Sequence, residues 1–122
     1  INVHGFVAET SQEALDIAYP AHADVMNRLG RERGWGASMT RGAFAAGAEP
    51  LGANFAGSPA QVVDKILANH EIFGFDRFVL QMAIGVMDHG KLMKAIELYG
   101  TRVAPEVRKA VAAGGAKAAT GA

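Results

Sequence analysis

The nearly unbroken apolar run Phe78–Ile84 is the feature that most constrains the fold of this chain. Apolar and polar residues do not alternate in it, a pattern typical of a strand covered on both faces, as in a parallel sheet. Gly85 ends the run, and a short loop leads to a segment with apolar residues at helical spacing. These apolar residues are Leu92, Ile96, Tyr99 and Val103. The sequence therefore predicts a strand near Arg77–Ile84 followed by an amphipathic helix, which together form a βα unit.

A second βα unit is predicted at the start of the chain. Residues Asn2–Ala8 are rich in β-branched and aromatic side chains, which favour a strand. Thr10 and Glu13 fit a capping box, so a helix is expected from there to about Arg33. Because each predicted strand is followed by a long helix, we expect the two strands to be parallel.

The region between these units predicts a helical insertion and one further helix. Residues 34–57 are punctuated by glycine and proline and are too many for a simple loop, so a short helix is expected around Thr40–Ala48. A longer helix is predicted over Ser58–Phe73, with Ser58 as its N-cap. The Gly- and Ala-rich tail, residues 114–122, lacks large apolar side chains, and disorder is predicted there.

Composition argues against several functional classes. Twelve basic residues balance 12 acidic ones among the 122, so charge gives no indication of nucleic acid or an anionic membrane as partner. The chain has no cysteine, which excludes disulfides, thiolate catalysis and zinc–sulfur sites. There is no apolar run of membrane-spanning length and no signal peptide, so a cytoplasmic protein is expected. The histidines are dispersed along the sequence, and no metal site is predicted; they are His4, His22, His70 and His89.

Three stretches of the chain carry a resemblance to a known family. In order, they are HGFVAETSQEAL, FAGSPAQVVDKI, and DRFVLQMAIG with the later DHGKLMKAIELYGTRVAPEVR. Together they resemble the C-terminal end of the bacterial luciferase-like flavin-dependent monooxygenases. Members of that family are complete (β/α)8 TIM barrels of roughly 250 residues or more. The resemblance implies that residues 1–113 form the C-terminal fragment of such a barrel domain, its last two βα units with a helical insertion between them.

The same resemblance implies a function for the parent protein. Such enzymes use reduced flavin and O2 to oxidise a small organic substrate, and the flavin supplies the redox chemistry. The cofactor expected is reduced FMN, with the deazaflavin F420 as the other candidate. No catalytic acid or base is indicated by the residues present. Because most of the flavin pocket belongs to missing strands, the isolated chain is expected to be inactive and to bind no FMN tightly.

The loop after the second predicted strand is where the resemblance implies contact with the cofactor. Gly85 would allow close approach, Val86 and Met87 would line one wall of the pocket, and His89 would make a polar contact. Family members often have proline at the position of Asp88 and an acidic residue at the following glycine. The alternative for this loop is that Asp88 or His89 simply caps the last helix.

Two interpretations from different functional classes remain open at this point. The first is an enzyme fragment that is active only with the rest of its barrel. The second is a stand-alone, non-catalytic oligomerising α/β module derived from that family. Bare strand edges and an uncovered apolar face predict a homo-oligomer or association with the rest of the barrel in either case.

Overall fold

The computed structural model describes residues 1–36 and 38–120, the last six by their backbone alone, as an α/β fold built on one parallel sheet. In chain order the elements are β1 (Asn2–Val7), α1 (Ser11–Arg33), α2 (Arg41–Ala48), β2 (Phe55–Gly57), α3 (Pro59–Phe73), β3 (Val79–Gln81), α4 (His89–Leu98), a π-helical segment (Tyr99–Val103) and α5 (Ala104–Thr120). The strand order is β2-β1-β3, and both pairings are parallel.

The two strands predicted from the sequence are present and pair with each other in parallel. Asn2 lies opposite Val79, and His4 lies opposite Gln81. The second strand is shorter than the predicted Arg77–Ile84, and it lies at the edge of the sheet. Val79 is 42% exposed, so β3 is not covered on both faces as its apolar run predicts. An edge position next to a single neighbouring strand leaves its side chains partly accessible.

The structure has three βα units, and the prediction of two was therefore wrong in number. The additional strand, β2, pairs with β1, with Gly5 opposite Phe55 and Val7 opposite Gly57. All three residues of β2 are buried. A strand of three residues is too short to show either alternation or a recognisable apolar run, which is why the sequence pattern missed it. The predicted helical insertion is present as α2 and leads into this strand.

Helix boundaries follow the capping residues predicted from the sequence. Thr10 Oγ1 accepts a hydrogen bond from the Glu13 amide at 3.2 Å at the start of α1. At the start of α3, the Ser58 amide donates to Gln61 Oε1 at 3.0 Å, and the Gln61 amide donates to Ser58 Oγ at 3.4 Å. Gly74 ends α3 at φ 59°, a left-handed conformation that glycine adopts without steric cost. These contacts span at most four residues, so the local sequence determines them.

Two clusters of buried side chains lie on opposite faces of the sheet, because successive residues of β1 point in opposite directions. One cluster joins Phe6 to α1 and α2, and it consists of Phe6, Ala8, Ala14, Ala18, Phe44, Ala56 and Ala95. The other joins Val7 to α3 and the π-helical segment, and it consists of Val7, Phe55, Val62, Ile66, Leu98 and Val103. Each large side chain buried in this way contributes about 1.5–3 kcal/mol.

The last predicted helix is divided by the π-helical segment. Val103 is fully buried and Leu92 is partly buried, as the predicted apolar stripe requires. Ile96 is 46% exposed, however, and Ala95 and Leu98 are buried in α4 instead. A π-type turn holds more residues than an α-turn, so it rotates the stripe that follows it relative to the stripe that precedes it.

The C-terminal helix α5 reaches Thr120. The rest of the tail for which disorder is predicted, Gly121 and Ala122, lies outside the described residues. The prediction for the tail therefore stays a prediction.

Candidate functional site

A cavity of about 570 Å³ opens between the sheet and helices α1 and α2. Its five polar lining side chains come from four separate places in the sequence: Asn2 and His4 of β1, His22, Asn54 and Gln81. Met39 and Phe44 are the large apolar side chains of its wall. We call it the His4–His22 cavity. Among the described residues that line it, none is Asp, Glu, Lys or Arg.

Strand β1 and helix α1 bring the two histidines of this cavity together. His4 lies in the middle of β1, and Gln81 of the neighbouring strand lies opposite it. Helix α1 packs against β1 and β2 and carries His22 to the same place. The two imidazole rings meet edge to face with their centroids 5.7 Å apart, and the His22 ring lies 5.1 Å from the ring of Phe44. The fold thus pairs two histidines that are dispersed in the sequence.

The environment of His22 changes the pKa of its imidazole and leaves one ring nitrogen without a hydrogen-bond partner among the described residues. Burial lowers the pKa of His22 below its ordinary value of 6.5, and the neighbouring His4 lowers it further. The imidazole is therefore neutral at neutral pH. Its Nδ1 atom is buried and has no hydrogen-bond partner among the described residues. A neutral imidazole has one donor and one acceptor nitrogen, so this arrangement leaves one polar atom unsatisfied.

Protonation of His22 is expected to destabilise the fold. Its pKa is lower in the folded chain than in the unfolded chain, so the unfolded chain binds the proton more readily. The associated stability is therefore complete above about pH 6.5 and is lost as the pH falls towards the folded pKa. Urea unfolding of wild type, measured from about pH 7.5 to pH 5, should show this loss of stability. The His22→Phe variant should lose less stability over the same range. His70→Phe is the control variant. An equal loss of stability in wild type and His22→Phe would contradict the assignment of this pH dependence to His22.

The four loop residues expected to contact a cofactor lie in different environments. Gly85 has φ 74° and lies so close to α1 that an added Cβ would meet a backbone carbonyl of that helix. Met87 is partly buried and lines, with His22, a small pocket beside the His4–His22 cavity. Val86 is 93% exposed, and His89 is exposed at the first position of α4. These four residues therefore do not share one environment in the described part of the chain, and their contact with a cofactor stays a prediction.

The capping alternative for this loop is confirmed for Asp88. Its Oδ2 atom accepts a hydrogen bond from the Lys91 amide at 3.0 Å, which fixes the start of α4. A smaller cavity of about 200 Å³ lies beside this helix start, at the C-terminal end of β1. Glu9 lines it and accepts a hydrogen bond from the Arg102 guanidinium at 2.7 Å. Both side chains of this ion pair are about half exposed, so the pair contributes little to stability.

Lys65 is a buried charged residue that the sequence analysis missed. It is 7% exposed, and its Nζ donates to the backbone carbonyls of Glu49, Asn54 and Gly47 at 2.8, 2.7 and 3.3 Å. Burial lowers the pKa of Lys65, and the charge of Glu49 opposes that shift. A signal was present, because Lys65 occupies the same helical stripe as Val62 and the following isoleucine. The ammonium group ties the segment between α2 and β2 to α3, next to the His4–His22 cavity.

Comparisons with known proteins add no family assignment. No protein-family model matches the sequence, and a search of curated proteins finds no match. Within residues 1–36 and 38–120, no cluster of three or more His, Cys, Asp or Glu side chains is arranged to hold a metal ion. None of the helices in the same residues combines the length and the apolar character needed to cross a bilayer.

Proposed function

We propose that this chain is the C-terminal part of a cytoplasmic, luciferase-like flavin-dependent monooxygenase, which oxidises a small organic substrate with reduced flavin and O2. One observation carries the proposal. Each of the three stretches that resemble the family contains a strand of the parallel sheet, and each strand is followed by a helix. Repeated parallel βα units are the building blocks of a (β/α)8 barrel.

The strand order places a definite requirement on this proposal. In a closed (β/α)8 barrel successive strands are neighbours, so β3 would lie beside β2. In this structure β3 pairs with β1. In the complete barrel, the strand that precedes β1 in the sequence would occupy this edge of β1. The proposal therefore requires β3 to leave that edge when the rest of the barrel is present. Pairing of a free edge with the nearest available strand is the expected behaviour when its natural neighbour is missing.

The loop expected to contact the cofactor is divided between two environments in the described residues. Met87 packs against the buried cluster that joins Phe6 to α1, whereas Val86 and His89 are exposed. FMN, or the deazaflavin F420, would supply the redox chemistry in the parent protein, and this loop would form part of one wall. We therefore assign no catalytic step to a residue of this chain.

The test of this proposal is the size and flavin chemistry of the natural gene product. We expect an intact mass of about three times that of this chain, and oxygen-dependent oxidation of reduced flavin by the intact protein. The isolated 122-residue chain should retain no flavin absorbance after desalting. A natural product that ends at this length, or an isolated chain that keeps FMN, would contradict the proposal.

One observation favours the alternative, a non-catalytic oligomerising module. Several large apolar side chains are exposed, and they include Ile72 at 71% and Phe73 at 65% at the end of α3, and Val79 at 42% in the edge strand β3. Exposed apolar groups beside a free strand edge mark an interface. Under this alternative the chain forms a stable homo-oligomer in light scattering and has no longer parent. A folded, strictly monomeric species at high dilution would exclude it.

A further inference from the structure

A groove of about 480 Å³ lies between α3, α5 and the segment that leads into β3. We call it the α3–α5 groove. Its volume lies within the range of small-molecule sites, which is roughly 300–1,000 Å³. None of its described lining residues also lines the His4–His22 cavity, so the groove is a separate candidate site.

Aromatic and aliphatic side chains form the wall of the α3–α5 groove. The Phe75 ring meets the His70 ring edge to face with centroids 5.3 Å apart, and it lies 5.9 Å from the ring of Phe78. Val107 and Val111 line the groove from α5. All five side chains are only partly buried, so each keeps a surface that an occupant of the groove is able to reach. Covering that surface with the apolar body of a ligand is favourable.

The charged side chains of the groove carry an excess of positive charge. Arg77 and Arg108 line it, and Asp76 is the one carboxylate among its described lining residues. All three side chains are exposed, and within the described part of the chain neither arginine forms an ion pair. A guanidinium group binds a carboxylate in a planar geometry with two hydrogen bonds. Free guanidinium groups beside an apolar wall therefore suit an anionic ligand.

The π-helical segment adds a hydroxyl group to the same groove. Tyr99, its first residue, is partly buried and lines the groove. Burial raises the pKa of Tyr99 above its ordinary value of 10.0, and the charge of Arg108 opposes that shift. The hydroxyl therefore keeps its proton at neutral pH and is able to donate a hydrogen bond to an anion. Segments of π-helix occur frequently at functional sites, which supports a binding role for this wall.

Wall and charge together select one class of ligand. A cation would be repelled by the two guanidinium groups, and a small inorganic anion would leave the aromatic wall exposed to water. A ligand that uses both features has an apolar, ring-containing body and a single carboxylate.

We propose that the α3–α5 groove binds a small aromatic carboxylate, with its rings against Phe75, Phe78 and Val107 and its carboxylate at the Arg108 guanidinium. Arg77 supplies a second positive charge beside it. The proposal concerns this chain alone and does not depend on the flavin chemistry of a parent protein.

The test uses the full chain and three probes with the same rings. Naphthoate carries the carboxylate, naphthalenemethanol is a neutral analogue, and naphthylmethylamine carries a positive charge. We expect naphthoate to bind about three- to tenfold more tightly than naphthalenemethanol at low ionic strength, and naphthylmethylamine to bind most weakly. The advantage of naphthoate should decrease with added salt, because ions screen exposed charges. Chemical-shift changes in NMR titrations should centre on Phe75, Phe78 and Arg108.

Two variants separate the charge of the groove from its apolar wall. Arg108→Gln should remove most of the preference for naphthoate and leave the affinity for naphthalenemethanol unchanged. Val111→Gln places a polar group in the wall and should weaken the binding of both probes by similar factors. Arg31→Gln is the matched control, because it changes an exposed arginine of α1 that does not line the groove. It should leave both affinities unchanged.

Several outcomes would overturn the proposal. They are equal affinity of wild type for naphthoate and naphthalenemethanol, no binding of naphthoate at millimolar concentration, and chemical-shift changes centred outside the groove. A preference for naphthoate that is as large in Arg108→Gln as in wild type would also overturn it. Arg108 is exposed, so its replacement leaves the buried clusters intact, and circular dichroism checks that the variant is folded.

Discussion

Replacing Lys65 with methionine is expected to lower the free energy of unfolding by about 2–4 kcal/mol. Methionine has nearly the same length and volume, so the change removes the ammonium group without opening a large cavity. Three backbone carbonyls, those of Gly47, Glu49 and Asn54, then lose the ammonium donor. The Gly47 and Glu49 carbonyls each keep one backbone amide donor. The three N–H bonds of an ammonium match these three acceptors, and methionine has no donor to replace them.

The measurement is urea unfolding followed by circular dichroism, with Lys109→Met as the matched control. Lys109 lies on the exposed surface of α5, so the control should change stability by less than about 0.5 kcal/mol. Because Lys65 holds residues 47–54 beside the His4–His22 cavity, hydrogen exchange in that segment should also become faster in Lys65→Met. Equal stability of the two variants would show that water replaces the ammonium group at no cost.

Replacing Gly5 with alanine is expected to destabilise the chain by about 3 kcal/mol or more. Gly5 lies opposite Phe55 in the pairing of β1 with β2. An added Cβ would overlap the backbone carbonyl of Phe55 and lie 2.7 Å from Cδ1 of Leu80. A carbonyl held in a strand pairing cannot move aside as a flexible side chain can. The pairing of β1 with β2 must therefore separate locally, whereas the Leu80 side chain can rotate away.

Gly42→Ala is the matched control for this change. Gly42 lies in α2 with open space around the position of an added Cβ. Alanine there should stabilise the helix by about 0.5–1 kcal/mol. The expected result is a urea midpoint about 1–2 M lower for Gly5→Ala and unchanged or higher for Gly42→Ala. A Gly5→Ala protein with wild-type stability would show that β1 and β2 are not held in this pairing.

Local sequence determined where most helices of this protein begin and end. Thr10, Ser58 and Asp88 each cap a helix through the amide three residues further along, and Gly74 ends α3. These interactions lie within four residues, so neighbouring side chains and backbone preferences are sufficient to specify them. The strands β1 and β3 were also predictable, because their apolar runs are recognisable without knowing their partners.

Only the tertiary structure decided the strand order and the composition of the candidate site. β2 is stabilised by its pairing with β1 and not by a pattern of its own three residues. His4 and His22 meet because α1 folds back onto the sheet, and Lys65 is buried because three carbonyls from a distant segment converge on it. The physical reason is that burial and hydrogen bonding between distant segments depend on which chain segments become neighbours. That choice is made by the packing of the whole chain and leaves no periodic signal in any one stretch.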